Sequence, residues 1–178
     1  MKKITALLLL FLTLSSCERD DICDEGKLTT PRLVIDFKDL INPESPKNVF
    51  GFRAEDADDT THYLDDYNDI TTNTVILPLK TNEDTTQFAL YKDYNEMDDN
   101  GTPDDETDDI DLTNRDVITI TYAREDIYVS RACGYKTIFK NVLITLEDDG
   151  DNWIQLIQSV NDNQSIEDET TTHFNILH

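Results

Sequence analysis

Apolar residues recur at every second position along most of this chain, the spacing of strands that bury one face and leave the other in water. Leu33, Ile35 and Phe37 alternate, as do Phe50 with Phe52, Val75 with Leu77 and Leu79, and Phe88 with Leu90 and Tyr94. In the second half Ile118, Ile120 and Tyr122 share one face, and Val142, Ile144 and Leu146 share another. Ile127 with Val129 and Phe174 with Ile176 complete the set. Turn signals punctuate these runs at Asn42-Pro43 to Pro46, at Asn100-Gly101 and at Asp148-Asp149-Gly150-Asp151. About eight or nine short strands so spaced predict an all-β fold, an antiparallel β-sandwich with Greek-key or immunoglobulin-like connections.

One segment competes. Trp153, Leu156, Ile157 and Val160 fit a helix face with Asp151 or Asn152 as N-cap, yet Ile154, Leu156 and Val160 also alternate. Because Asp148 to Asp151 follows the run ending at Leu146, the expectation is a hairpin turn and a returning strand.

Ahead of the strands, Lys2 and Lys3 precede an unbroken apolar run from Ala6 to Leu12, the pattern of an export signal. That run is too short to span a bilayer, which needs about 20 apolar residues. Leu14-Ser15-Ser16-Cys17 follows and resembles the lipobox of bacterial lipoproteins. The resemblance implies cleavage before Cys17 and acylation of that cysteine. Two or more acyl chains, at about 0.8 kcal/mol per buried methylene, make such anchoring stable. The expected organisation is therefore a signal peptide over 1–16, a lipidated tether over 17–27 and one β-sandwich domain over 28–178.

With Cys17 committed to lipid, Cys23 and Cys133 remain as an even pair in an oxidising compartment, so a disulfide between them is expected. Cys23 lies six residues after Cys17, and an extended chain covers at most about 3.5 Å per residue. The bridge would hold the domain within roughly 20 Å of its anchor.

Removing the first sixteen residues takes away Lys2 and Lys3 and no acid, leaving 13 cations against 38 carboxylates, a net charge of −25. That balance argues against nucleic acid and anionic surfaces as partners for the domain as a whole. Ten of the carboxylates fall in the loop 93–111, which holds no cation. Within it Glu96, Asp98, Asn100, Thr102 and Asp104 stand two residues apart around Gly101, the rhythm of oxygen ligands in a calcium loop. Thr107 stands where such a loop carries a bidentate Glu, with Asp108 beside it. Calcium is thus the one cofactor the sequence suggests, against a solvated acidic loop as the plain alternative.

The segment Arg115 to Lys140 reverses the balance, with five cations and three acids. Arg124, Arg131, Lys136 and Lys140 are expected to pair with the protein's own carboxylates rather than to form an anion site. His62, His173 and His178 show no metal-ligand spacing, and no G-x-S-x-G nucleophile motif is present. A hydrolase using two carboxylates leaves no local signature, so it stands as the alternative to a non-catalytic structural or binding module.

Several stretches carry a family resemblance: Cys17-Glu18-Arg19-Asp20-Asp21-Ile22-Cys23, Thr30 to Phe37, Ile76 to Thr81, and above all Tyr128-Val129-Ser130-Arg131-Ala132-Cys133-Gly134-Tyr135-Lys136. Together they resemble small flavobacterial (Bacteroidota) lipoproteins of unknown function. The resemblance implies an outer-membrane lipoprotein and supplies no activity, and no protein or glycan ligand follows from it. In such proteins an acidic stretch after the lipidated cysteine resembles a surface-export signal, which Glu18 to Asp21 fits. The cell surface is thus expected over the periplasmic face.

Overall fold

The computed structural model describes Cys23, residues 30–57, Asp59, and residues 62–102, 107–162 and 164–178. Among them there is no helix, and eleven strands form the fold. They are β1 (Leu33–Lys38), β2 (Val49–Asp56), β3 (Ile70–Thr72), β4 (Thr74–Leu77), β5 (Thr85–Lys92), β6 (Met97–Asp98), β7 (Ile110–Asp111), β8 (Asn114–Ser130), β9 (Gly134–Leu146), β10 (Leu156–Ser159) and β11 (Phe174–Leu177). The count exceeds the expected one because β3, β6 and β7 are too short to show a period.

Two sheets carry the architecture. One has the order β10-β11-β1-β4 and the other β3-β2-β5-β8-β9, with β6 and β7 forming a separate ribbon. Pairing is antiparallel except between β1 and β11, which run parallel with Ile35 opposite Phe174. The chain changes sheets between β1 and β2, β3 and β4, β4 and β5, and β9 and β10. These crossings place both inner faces around one core, and the expected sandwich is what results.

That core is built from the alternating residues. Leu33, Ile35 and Phe37 of β1, Val75 and Leu77 of β4, and Ile118 and Ile120 of β8 are all fully buried. Phe37 and Phe52 meet across the two sheets, ring centroids 5.2 Å apart and edge to face, and Trp153 completes the cluster at 5.9 Å from Phe37. Burying each such aromatic side chain is worth about 1.5–3 kcal/mol.

Two expectations fail for local reasons. Phe50 and Phe52 do not share a face: Phe50 is 59% exposed, while Val49 and Phe52 are buried. Gly51 adopts φ +52° and the register against β3 shifts between Val49 and Phe52, so a bulge resets the phase. Nor do β9 and β10 form a hairpin, since they belong to different sheets. After the turn at 148–151 the chain crosses between layers. Trp153 and Ile154 are both buried there in neither strand nor helix, and Leu156 and Val160 stay largely exposed. Tyr94 is half-buried beyond the end of β5, between Asp93 and Asn95, which both have positive φ.

Pairing of β5 with β8 ends at Thr85 opposite Thr121. Beyond it β8 and β9 continue as an arm, with residues 164–166 bonded to the outer edge of β9 at Phe139 and Val142, and the turn 131–133 closes it.

Candidate functional site

Cys23 and Cys133 are joined by a disulfide, with Cα atoms 4.9 Å apart. Cys133 occupies the turn at the tip of the arm. Its N–H donates to Ser130 Oγ at 3.1 Å, and Gly134 at φ +70° supplies the left-handed residue that starts β9. The first described residue is thus fastened to the far end of the longest strand pair. Cys17, the expected acylation site, lies outside the described residues.

At the opposite end of β8 stands the acidic ribbon. Met97 pairs with Asp111 and Asp98 with Ile110, and Asn100 and Gly101, both at positive φ, make the turn after Asp99. The carboxylate of Asp98 accepts the Asn100 N–H at 3.0 Å, and that of Asp99 accepts the Gly101 N–H at 3.0 Å. Thr102 Oγ1 lies 2.8 and 2.9 Å from the two carboxylate oxygens of Asp108. The Glu96 carbonyl accepts from the Leu112 N–H across the ribbon. Of the residues expected to hold calcium, Thr102 and Asp108 are brought together, Asp98 and Asn100 are linked through the turn, and Asp104 lies outside the described residues. Among the described residues no three His, Cys, Asp or Glu side chains converge as a metal-holding group.

The cations between 115 and 140 largely turn toward the protein's own oxygens. Arg124 pairs with Asp84 at 2.6 Å and donates to the Thr81 carbonyl. Lys140 pairs with the carboxylate of Glu167, and Lys136 donates to the Glu167 backbone carbonyl at 3.0 Å. Arg131 is exposed at the tip. Such exposed pairs contribute little individually. The histidines serve separate local roles, His62 beside Asp59 at 2.6 Å, His173 against Val34, and His178 against Phe37 and Trp153.

The most heavily bonded polar cluster was not foreseen. Glu55, 2% exposed, points to the outer face of the five-stranded sheet and accepts from Arg53 and from the hydroxyl of Tyr91. The Arg53 guanidinium lies over the rings of Tyr63 at 4.7 Å and Tyr94 at 4.6 Å, and donates to Asn68 and to the Tyr94 hydroxyl. Burial pushes the Tyr91 hydroxyl pKa up, and hydrogen bonding to Glu55 adds to the rise. The Glu55 carboxylate is thus met by the Arg53 guanidinium and the Tyr91 hydroxyl, in a network that pins residues 63–68 to the sheet. Its only local signal is Arg53 and Glu55 two apart on one strand face, because Tyr91 joins them only through cross-strand register.

Asp116, fully buried, belongs to the other face. Its carboxylate accepts the N–H of Ile154 at 2.8 Å and of Trp153 at 3.4 Å, holding the crossing between layers in place. Burial raises its pKa, and the bonds from Ile154, Asn152 and Trp153 partly offset the rise. Glu55, Ala89 and Val117 stand in register across β2, β5 and β8, so Asp116, one residue from Val117, points through to the opposite side. The two buried carboxylates do not face each other.

These features define a disulfide-closed, acidic all-β sandwich domain whose longest strand pair, β8 and β9, ends in the disulfide-bearing turn. The chain belongs to the DUF6452 family, a family of unknown function, whose model matches residues 48–178. The match takes in β2 to β11 and begins after β1, which nonetheless sits between β11 and β4 in its sheet. No curated protein and no solved structure matches the chain.

Proposed function

We propose that this chain is an exported lipoprotein of the outer membrane, held by acyl chains on Cys17, whose domain is a non-catalytic structural or binding module displayed at the cell surface. The observation that carries the reading is the bond between Cys23 and Cys133. A disulfide persists in an oxidising compartment, and this one is made by a cysteine six residues from the lipobox-like Cys17. The two fully buried carboxylates among the described residues, Glu55 and Asp116, lie on opposite faces of one sheet and do not form the facing pair that a glycosidase uses. Glu18 to Asp21 supports surface display.

Membrane fractionation with metabolic acyl labelling tests the anchor. The wild-type chain should take up label and sediment with outer membranes, and Cys17→Ala should lose the label and become soluble. A Cys17→Ala chain that stays wholly in membranes overturns the reading. For orientation, replacing Asp20 and Asp21 with Ala should lower protease accessibility on intact cells, and unchanged accessibility would remove the export role of that stretch.

A further inference from the structure

We propose that the tip of the β8–β9 arm is a membrane-contacting surface, with Tyr128, Tyr135 and Arg131 seated among the headgroups of the bilayer that holds the acyl chains on Cys17. The proposal rests on the anchor reading above and adds to it a second, non-covalent contact.

Tyr128 and Tyr135 are cross-strand partners, 58% and 70% exposed, and their rings pack edge to face at 5.4 Å. Two large aromatic side chains packed together and exposed at the end of the arm form an amphipathic patch open to contact. Tyrosine, with an apolar ring and a polar hydroxyl, is the side chain enriched at the boundary between water and hydrocarbon.

Chain length selects the membrane as the occupant. The disulfide fixes Cys23 to Cys133 at this tip, and only six residues separate Cys23 from Cys17. Even fully extended, that tether reaches about 20 Å. The headgroup layer on each side of a bilayer is about 5–8 Å deep, so a tether extended to less than about half its reach brings the tip against it. Of all parts of the domain, the tip is the one the covalent geometry holds closest to lipid.

Within the strands charge orients the body the same way, whereas Glu18, Asp20, Asp21, Asp24 and Glu25, which flank Cys23, stay near the surface whichever way the body points. Residues 127–137 carry Arg131 and Lys136 and no carboxylate. Glu125 and Asp126 lie further back on the arm, where Asp126 accepts from the Thr137 hydroxyl at 2.8 Å, and Glu167 is paired with Lys140. The ten carboxylates of 93–111 precede Asn114 at the other end of β8, and Glu147, Asp148, Asp149 and Asp151 follow Leu146 at that same end, where Ile118 faces Leu146. A 17-residue strand is about 50 Å long, several screening lengths at physiological salt. With the tip on an anionic surface, the acidic end stands clear of it.

Hydroxyl-radical footprinting of the acylated protein on vesicles of phosphatidylethanolamine and phosphatidylglycerol tests this, after mass spectrometry has established the acyl chains. Tyr128 and Tyr135 should be oxidised several-fold more slowly on vesicles than in the unacylated Cys17→Ala protein in solution. Phe50 and Met97, exposed at the acidic end, should react equally in both. An acylated protein whose two tyrosines react at the solution rate overturns the proposal and leaves the anchor reading standing. A chain without acyl groups overturns both. Protection on intact cells but not on protein-free vesicles overturns it in favour of a protein partner.

Discussion

Val34 and His173 exchange two hydrogen bonds: the Val34 N–H donates to His173 Nδ1 at 3.0 Å, and the His173 N–H donates to the Val34 carbonyl at 2.9 Å. The imidazole therefore extends the edge of β1 by one rung, and it does so only as a neutral acceptor at Nδ1. Burial holds the His173 pKa below its usual value, and burial lowers that of His178 as well. A group whose folded pKa is depressed contributes stability above its unfolded value, near 6.5, and loses it as pH falls through the folded value. Thermal unfolding should thus show stability falling from about pH 6.5 downward, before most carboxylates titrate. His173→Asn retains an acceptor at the same reach without titrating, so it should flatten part of that slope. An unchanged slope between pH 7.5 and 5 would show that the imidazole is not the group responsible.

Gly51 is the second position with a sharp expectation. Its φ is +52°, and a Cβ added there would lie 2.6 Å from the Tyr94 nitrogen and 3.0 Å from Asp93 backbone atoms. Backbone cannot yield as a flexible side chain does, so Gly51→Ala combines the left-handed penalty of about 1–2 kcal/mol with a steric clash. A total cost of about 3 kcal/mol or more should lower the unfolding midpoint by roughly 6–12 °C. Gly150→Ala is the control, because φ there is +84° with no atom within 4 Å. It should lose only the backbone term, and equal losses at both positions would remove the close approach as the cause.

Gly51 also marks where reading the sequence ran out. Alternation placed Leu33, Ile35, Phe37, Ile118 and Ile120 on the core face correctly, because a stretch of strand without a bulge keeps a strict period of two, and the first register shift in β8 comes only after Thr121. A bulge costs one step of phase, and nothing local distinguishes a Gly that makes one from a Gly that merely sits in a strand; Phe50 was misplaced for that reason. The disulfide was legible by elimination, since two cysteines remained. The Arg53, Glu55, Tyr91 and Tyr94 cluster was not, because its members meet only when β2 and β5 are in register. Trp153 and Ile154 misled through adjacency, both being buried where the chain passes between layers and no period applies.

The bridge between Cys23 and Cys133 spans 110 residues. In the chain-entropy account, closing a loop of that length stabilises the fold by roughly 4–5 kcal/mol by restricting the unfolded chain. Reductant, or Cys23→Ser with Cys133→Ser, should lower the unfolding midpoint by roughly 10–18 °C. The sandwich core, made of other residues, should remain folded at room temperature. Two titratable thiols in denatured, unreduced mature protein would mean that the bridge does not form.

Asp116 provides the strictest test of how the two layers are joined. Both carboxylate oxygens are buried and accept the N–H groups of Trp153 and Ile154, and the Trp153 indole donates to the Leu90 carbonyl at 3.2 Å. Asp116→Ala would orphan two buried donors at about 1–3 kcal/mol each and leave a small void, for a loss of about 2–5 kcal/mol. Asp116→Asn keeps the volume but turns one acceptor into a donor facing an N–H, and should cost about 1–3 kcal/mol. The pH dependence separates the pair. Burial raises the Asp116 pKa, so its contribution is greatest below the unfolded value, near 3.9, and declines as pH rises through the folded value. The stability gap between wild type and Asp116→Asn should therefore narrow as pH is raised from 3.5 toward neutrality. Trp153 is the sole tryptophan, so its emission reports the same segment directly, and Asp116→Ala should shift it to the red. An unshifted emission with a gap constant in pH would mean that Asp116 holds neither the crossing nor a buried charge.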